Sequence, residues 1–137
     1  MNWKVDKLKT VIMAGGKGTR IQSVASGIPK PMIEIGKIPV LEYEIRNLVN
    51  QGFTDIIITI SYLGYMIKDY FGNGSFLGAN ITYYEEEYPL GSGGALFFLR
   101  DQLDSDFLLL NADVVFDVDF HRFVQFHKEK GGMVTLF

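Results

Sequence analysis

Asp55-Ile56-Ile57-Ile58-Thr59-Ile60 is apolar almost throughout, without the alternation that a strand with one wet face displays. A strand of this kind must be buried on both faces. That confines the chain to a sheet covered by helices on either side, the setting of parallel strands. The flanking periodicities agree. Thr10-Val11-Ile12-Met13-Ala14 reads as a first buried strand ending at Gly15-Gly16. Leu41, Ile45 and Leu48 space an amphipathic helix over 40–51 that Gly52 can stop. Leu63, Met66, Ile67, Tyr70 and Phe71 space a second helix, broken by Gly72-Asn73-Gly74-Ser75. A third strand is expected over 81–84, a third helix over 94–102 and a fourth strand over 106–110. Phe120, Phe123, Val124 and His127 share one helical face, and 133–137 is expected to form a fifth strand. Strands alternate with helices along the whole chain, so the predicted class is α/β with a mostly parallel sheet and helices on both faces.

The 137 residues suit one compact domain, and the 47% apolar and 21% charged content is that of a globular chain. No cysteine is present, which excludes disulfides, thiolate zinc sites and a cysteine nucleophile. No apolar run approaches the ~20 residues that span a bilayer, and 1–9 alternates charged with apolar residues rather than presenting a secretion signal. The chain therefore reads as soluble and cytoplasmic, with no membrane partner. The net charge of −3 argues against a nucleic-acid partner. Its distribution is informative: Lys7, Lys9, Lys17, Arg20 and Lys30 lie in a stretch, 7–33, that contains no acid. A local cationic strip on an acidic chain suits a small anionic ligand.

In open α/β sheets the ligand crevice lies at the carboxyl ends of the strands, which singles out the segments after Ala14, Tyr84 and Leu110. The first is Ala14-Gly15-Gly16-Lys17-Gly18-Thr19-Arg20. Three glycines in four positions let backbone N–H groups converge on an anion, while Lys17 and Arg20 add charge. Ile21 stands where a third glycine of a dinucleotide fingerprint belongs, and Lys17 precedes Gly18, so neither that motif nor a P-loop is present. By spacing alone a glycine turn without function is the alternative. Ten residues further on, Pro29 and Pro31 bias their neighbours toward extended geometry and hold Lys30 on a stiff, non-helical segment, a suitable point charge for phosphate; an ordinary loop lysine is the alternative. The third segment ends in Asn111-Ala112-Asp113, where Asp113 offers a hard carboxylate oxygen of the kind that binds magnesium, or else a cap for a turn.

Ala14-Gly15-Gly16-Lys17-Gly18-Thr19-Arg20, Pro29-Lys30-Pro31-Met32, Leu90-Gly91-Ser92-Gly93-Gly94-Ala95 and Asn111-Ala112-Asp113, in that order, resemble the sugar-1-phosphate nucleotidyltransferase family. Ser23-Val24-Ala25-Ser26 and Tyr62-Leu63-Gly64-Tyr65-Met66-Ile67 are most similar to its heptose-1-phosphate guanylyltransferases, followed by the mannose-1-phosphate enzymes. The resemblance implies a Rossmann-like fold of the nucleotide-diphospho-sugar transferase type. It also implies transfer of a nucleotidyl group from a nucleoside triphosphate to a sugar 1-phosphate with loss of pyrophosphate, with Mg2+ as cofactor. By the family's pattern Ala14, Gly15, Gly16, Gly18 and Thr19 would hold the triphosphate, Arg20 would stabilise the leaving pyrophosphate, and Lys30 would bridge the α-phosphate and the sugar phosphate. Asp113 would hold the metal. Glu86 occupies the position, five before Gly91, that reads the base edge. An ionised carboxylate accepts from the N1–H and N2–H of guanine, which favours GTP over UTP, CTP or dTTP. Glu85 and Glu87 read as a solvated charge run.

The partners so implied are a nucleoside triphosphate and a sugar 1-phosphate, with homo-oligomerisation compatible with the fold. A nucleotide-binding or regulatory module without turnover is the alternative from another class. Glycine usually stands where this chain has Ala112, so its methyl group is expected to narrow the site. Asp117-Val118-Asp119 is also compatible with a glycosyltransferase metal motif, against which Asp119 is well placed to cap the following helix. His121 and His127 are six apart and do not share a helix face, and Ser92 lacks a Gly-x-Ser-x-Gly frame. In the family the sheet continues beyond the region of 133–137, so residues 1–137 are expected to be the N-terminal, nucleotide-binding part of a truncated catalytic domain.

Overall fold

The computed structural model describes residues 8–16, 27–88, 90, 91 and 93–137. In chain order, β1 (Lys9–Met13) is followed by a short antiparallel pair, β2 (Glu34–Ile35) and β3 (Ile38–Pro39), and by helix α1 (Val40–Asn50). Then come β4 (Asp55–Ile60), α2 (Gly64–Phe71), β5 (Asn80–Glu85), α3 (Gly94–Leu99), β6 (Phe107–Asn111) and α4 (Phe120–Lys130). The main sheet is parallel throughout, in the order β5-β4-β1-β6. The chain extends the sheet on one side of β1 and then crosses to the other side for β6. The switch point between β1 and β6 is where an open α/β sheet leaves a crevice.

The all-apolar β4 behaves as its composition requires. Ile56, Ile58 and Ile60 pack with Ile12 and with Leu41, Ile45 and Leu48 of α1, Ile67 and Phe71 of α2, and Phe120 and Val124 of α4. Ile57 faces the opposite side and meets Val11 and Leu99 of α3. Both faces are thus covered, one far more thickly. Helix α1 ends in paired reverse bonds, Gly52 N–H to the Val49 carbonyl and Phe53 N–H to that of Leu48, both 2.9 Å. Gly52 is left-handed (φ 86°), and the turn drives Phe53 into full burial. Among the described residues no helix is long and apolar enough to cross a membrane.

Asp119 caps α4, its carboxylate accepting from Arg122 N–H at 3.0 Å. Asp119→Ala should therefore cost about 1 kcal/mol in urea denaturation, and Asp119→Asn much less; equal losses would deny the cap.

Two expectations fail. Residues 133–137 form no strand. A strand needs an edge to pair with as well as apolar side chains, and a cleft of about 610 Å³ separates this segment from β6. The segment is tied instead to α4 and its approach: His127 Nδ1 lies 2.8 Å from Thr135 Oγ1, and the Phe137 ring meets Phe116 and Phe123 edge-on. Lys30 is not on a non-helical segment either. It opens a single 3-10 turn, Lys30–Met32, closed by Met32 N–H to the Pro29 carbonyl (2.8 Å) and Ile33 N–H to that of Lys30 (3.1 Å). Pro31 is tolerated because the first turn of a helix leaves its N–H groups unpaired in any case.

Candidate functional site

The carboxyl ends of β1, β4, β5 and β6 bring together most of the described segments singled out by sequence. Beyond β1 the chain remains tied to the sheet through Ala14 N–H, which donates to the Thr59 carbonyl at 2.9 Å. Beyond β5, Glu86 N–H donates to the Ile60 carbonyl at 2.8 Å. On the other side of β1, Ala112 N–H donates to the Met13 carbonyl at 3.1 Å, which sets Asp113 at the switch point beside the glycine turn.

Gly15 and Glu86, distant in sequence, are in contact. A Cβ on Gly15 would lie 2.9 Å from Cδ of Glu86 and nearer still to one carboxylate oxygen, so only glycine lets the half-buried carboxylate rest against this turn. The other oxygen, Oε2, accepts from Leu90 N–H at 3.3 Å. Gly91 and Gly93 follow with φ of +71° and +78°, a conformation that side chains with a Cβ rarely take. Gly94 packs directly on Leu90, where a Cβ would come within 2.6 Å of the leucine's own Cβ. Glu85 and Glu87 are exposed, Glu85 lying 3.4 Å from Lys68 Nζ.

Asp113 is exposed and, among the described residues, has neither a hydrogen-bond nor an ion-pair partner. No cluster of three or more His, Asp or Glu side chains suited to a metal occurs among the described residues. Ala112 corrects an expectation: it is buried within the main core, so its methyl group packs under the sheet rather than narrowing the crevice. Asp117 is exposed, and the neighbouring Asp119 serves as a helix cap. Lys30 is half-buried, with no ion-pair partner among the described residues and no described contact joining it to the crevice. Lys17, Gly18, Thr19 and Arg20 lie outside the described residues.

Four polar residues without a role in the sequence reading build this end of the molecule. Ser61, just past β4, donates its hydroxyl to the Gly15 carbonyl. Glu44 and Asn47 on α1 and Gln51 at its C-terminal end form a polar row that holds the segment after Asp113. Phe116 N–H donates to Glu44 Oε2 (3.3 Å), Asn47 Nδ2 donates to the Phe116 carbonyl (2.9 Å), and Gln51 Nε2 donates to that of Val118 (2.9 Å). Phe120 N–H donates to Gln51 Oε1 at 2.8 Å. Glu44 is fully buried, its Oε1 has no partner among the described residues, and burial pushes its carboxyl up to about 7. The signal in the sequence was their i, i+3, i+7 spacing, but a polar row on an amphipathic helix ordinarily faces water.

Comparison with known proteins agrees with this geometry. Residues 9–137 match the family model described as nucleotidyl transferase. The chain is 39% identical over 112 residues to the D-glycero-alpha-D-manno-heptose 1-phosphate guanylyltransferase of Campylobacter jejuni, covering 82% of this chain and 50% of that protein. It is 34% identical over 134 residues to the probable mannose-1-phosphate guanylyltransferase 1 of Oryza sativa, covering 94% of this chain and 37% of the relative. The crystal structure of HddC from Yersinia pseudotuberculosis complexed with GMP-PN superposes with a TM-score of 0.77 at 33% identity, over 88% of this chain and 54% of that one. The chain thus spans between about a third and about a half of the relatives it matches. A parallel sheet with its switch point beside the Gly15 turn, together with a family match over nearly all of the chain, places this chain in the nucleotidyl transferase family.

Proposed function

We propose that this chain is the nucleotide-binding part of a sugar-1-phosphate guanylyltransferase that uses GTP and a heptose or mannose 1-phosphate. The observation that carries this reading is the Glu86 carboxylate lodged against the Gly15 turn. This contact supports a reading in which Glu86 accepts from the base while the Gly15 turn receives the phosphates, at the carboxyl end of a parallel sheet. Relatives that act as guanylyltransferases and a superposable structure complexed with GMP-PN support the same nucleotide.

In the proposed reaction an oxygen of the sugar phosphate forms a bond to the α-phosphorus of the triphosphate. The bond from that phosphorus to the α,β-bridging oxygen breaks, and its electron pair leaves with pyrophosphate. Bringing a dianion up to a polyanion is the physical obstacle, so positioning and charge neutralisation must supply the acceleration. The backbone around Gly15 and Gly16 offers N–H donors, and Arg20 and Lys30 are assigned to the pyrophosphate and to the two reacting phosphates. An exposed carboxylate at a strand end, free of partners among the described residues, suits a hard divalent cation that completes its shell with phosphate oxygens and water. Asp113 would hold Mg2+, which when bound supplies charge neutralisation. Nucleoside triphosphates and sugar phosphates belong to the cytoplasm, and a chain without cysteine suits that reducing compartment.

The test is calorimetry of this chain with GTP, UTP, CTP and dTTP in the presence of magnesium. GTP should bind most tightly, and Glu86→Gln should reduce the GTP-to-UTP affinity ratio about tenfold, the loss of one charge-assisted hydrogen bond. A ratio unchanged by Glu86→Gln would remove that residue from base recognition.

A further inference from the structure

The carboxyl end of β4 holds the crevice loops on both of its sides. Thr59 and Ile60 do so with backbone carbonyls, receiving Ala14 N–H and Glu86 N–H. At Ser61 the ladder stops, because the backbone turns out of the sheet: its carbonyl receives Gly64 N–H at 2.8 Å, and Leu63 takes a left-handed conformation (φ 60°). The next bond toward the glycine turn is made by the side chain instead, Ser61 Oγ donating to the Gly15 carbonyl.

That carbonyl belongs to the Gly15-Gly16 peptide, the same planar unit that carries Gly16 N–H. In a trans peptide the C=O and N–H point in opposite directions, so holding one aims the other. Among the described residues no other hydrogen bond holds this peptide. Gly16 is exposed, and a Cβ built on it would meet nothing within 4 Å among the described residues. A peptide between two glycines has wide rotational freedom, and turning it over would withdraw one N–H donor from an anion.

We propose that Ser61 is a positioning residue: by holding the Gly15 carbonyl, its hydroxyl locks the Gly15-Gly16 peptide with Gly16 N–H turned away from β4, as a fixed donor to the phosphates of the nucleotide. This rests on the reading of the crevice as a nucleoside-triphosphate site. Base selection stays with Glu86, so the two residues control separable properties.

The experiment compares the unaltered chain with Ser61→Ala and Ser61→Thr, measuring GTP and UTP affinity with magnesium and the NMR signal of the Gly16 amide without nucleotide. Ser61→Ala should weaken both nucleotides about tenfold, the worth of one good hydrogen bond, and leave their ratio unchanged. Ser61→Thr keeps the hydroxyl and should restore affinity to within about threefold. Without nucleotide, the Gly16 amide should broaden or shift in Ser61→Ala as the peptide samples both orientations on the μs–ms scale. A merely structural role would disturb the ratio too and would broaden signals across the sheet. Failure of the unaltered chain to bind any triphosphate would refute the nucleotide reading, with the Gly16 signal still reporting on the peptide. An unperturbed Gly16 amide in Ser61→Ala, or unchanged GTP affinity in a chain that binds GTP, would overturn the assignment of Ser61.

Discussion

Gly15→Ala should leave the sheet folded and weaken GTP binding by about 10- to 100-fold, the range spanned by one or two charge-assisted hydrogen bonds. The added methyl carbon would arrive 2.9 Å from Cδ of Glu86, a distance that cannot be sustained. What yields is the end of a flexible side chain, so the fold is barely taxed and the melting temperature should move by less than about 4 °C. Gly15 is not among the residues with positive φ, so the alanine brings no backbone strain. The cost falls on the position of the carboxylate and on its bond from Leu90 N–H. Under the proposed role of Glu86, UTP makes no use of that carboxylate, so its affinity should fall much less than that of GTP. Calorimetry with both nucleotides, beside thermal denaturation, decides the matter. An unchanged GTP-to-UTP ratio in a folded Gly15→Ala protein would show that contact with Glu86 has no bearing on the base.

The second large effect is on stability. Glu44 is fully buried beneath the segment after Asp113, and its folded-state pKa of about 7 stands above the ordinary 4.5. A raised pKa means that folding favours the protonated carboxyl. Its contribution is therefore fully present below about pH 4.5 and is lost as the pH rises through about 7, above which the penalty is constant. The full shift would be worth about 3 kcal/mol; relaxation of the site and penetration of water around the buried charge leave about 1–2 kcal/mol. Glu44→Gln removes the ionisation while keeping an acceptor for Phe116 N–H. Between pH 5 and pH 8 the unaltered chain should lose about 1–2 kcal/mol more stability than Glu44→Gln in urea unfolding. Parallel pH profiles for the two proteins would show that Glu44 ionises without cost.

Most of the architecture was legible because it rests on short-range patterns. An unbroken apolar run identified β4 at its observed bounds, and 3.6-residue spacing found α1 to within a residue. Gly15-Gly16, Gly91 and Asp113 follow strand ends because turns and crevices need those residue types, whereas the proline motif forms a separate 3-10 turn. Two features of the backbone were misread for one reason, that a local preference was taken as an outcome. The apolar segment over 133–137 has strand-like composition, but it stands across a cleft from the open edge of β6 and follows the aromatic contacts of Phe137 instead. Lys30 precedes a proline, yet the turn around it closes through bonds to Pro29 and Lys30 carbonyls.

From composition and spacing alone came the α/β class, the order of the main strands and helices through 130, the cationic strip and the two glycine loops. These depend on interactions spanning a few residues, whose energies are much the same in any fold. Which polar groups meet is another matter. Ser61 reaches the Gly15 carbonyl across 46 positions, and Glu44 reaches Phe116 across 72. Each pairing exists only because the strand order β5-β4-β1-β6 sets those ends side by side. The same order seats a glutamate against a glycine, so that a missing Cβ becomes room for a carboxylate.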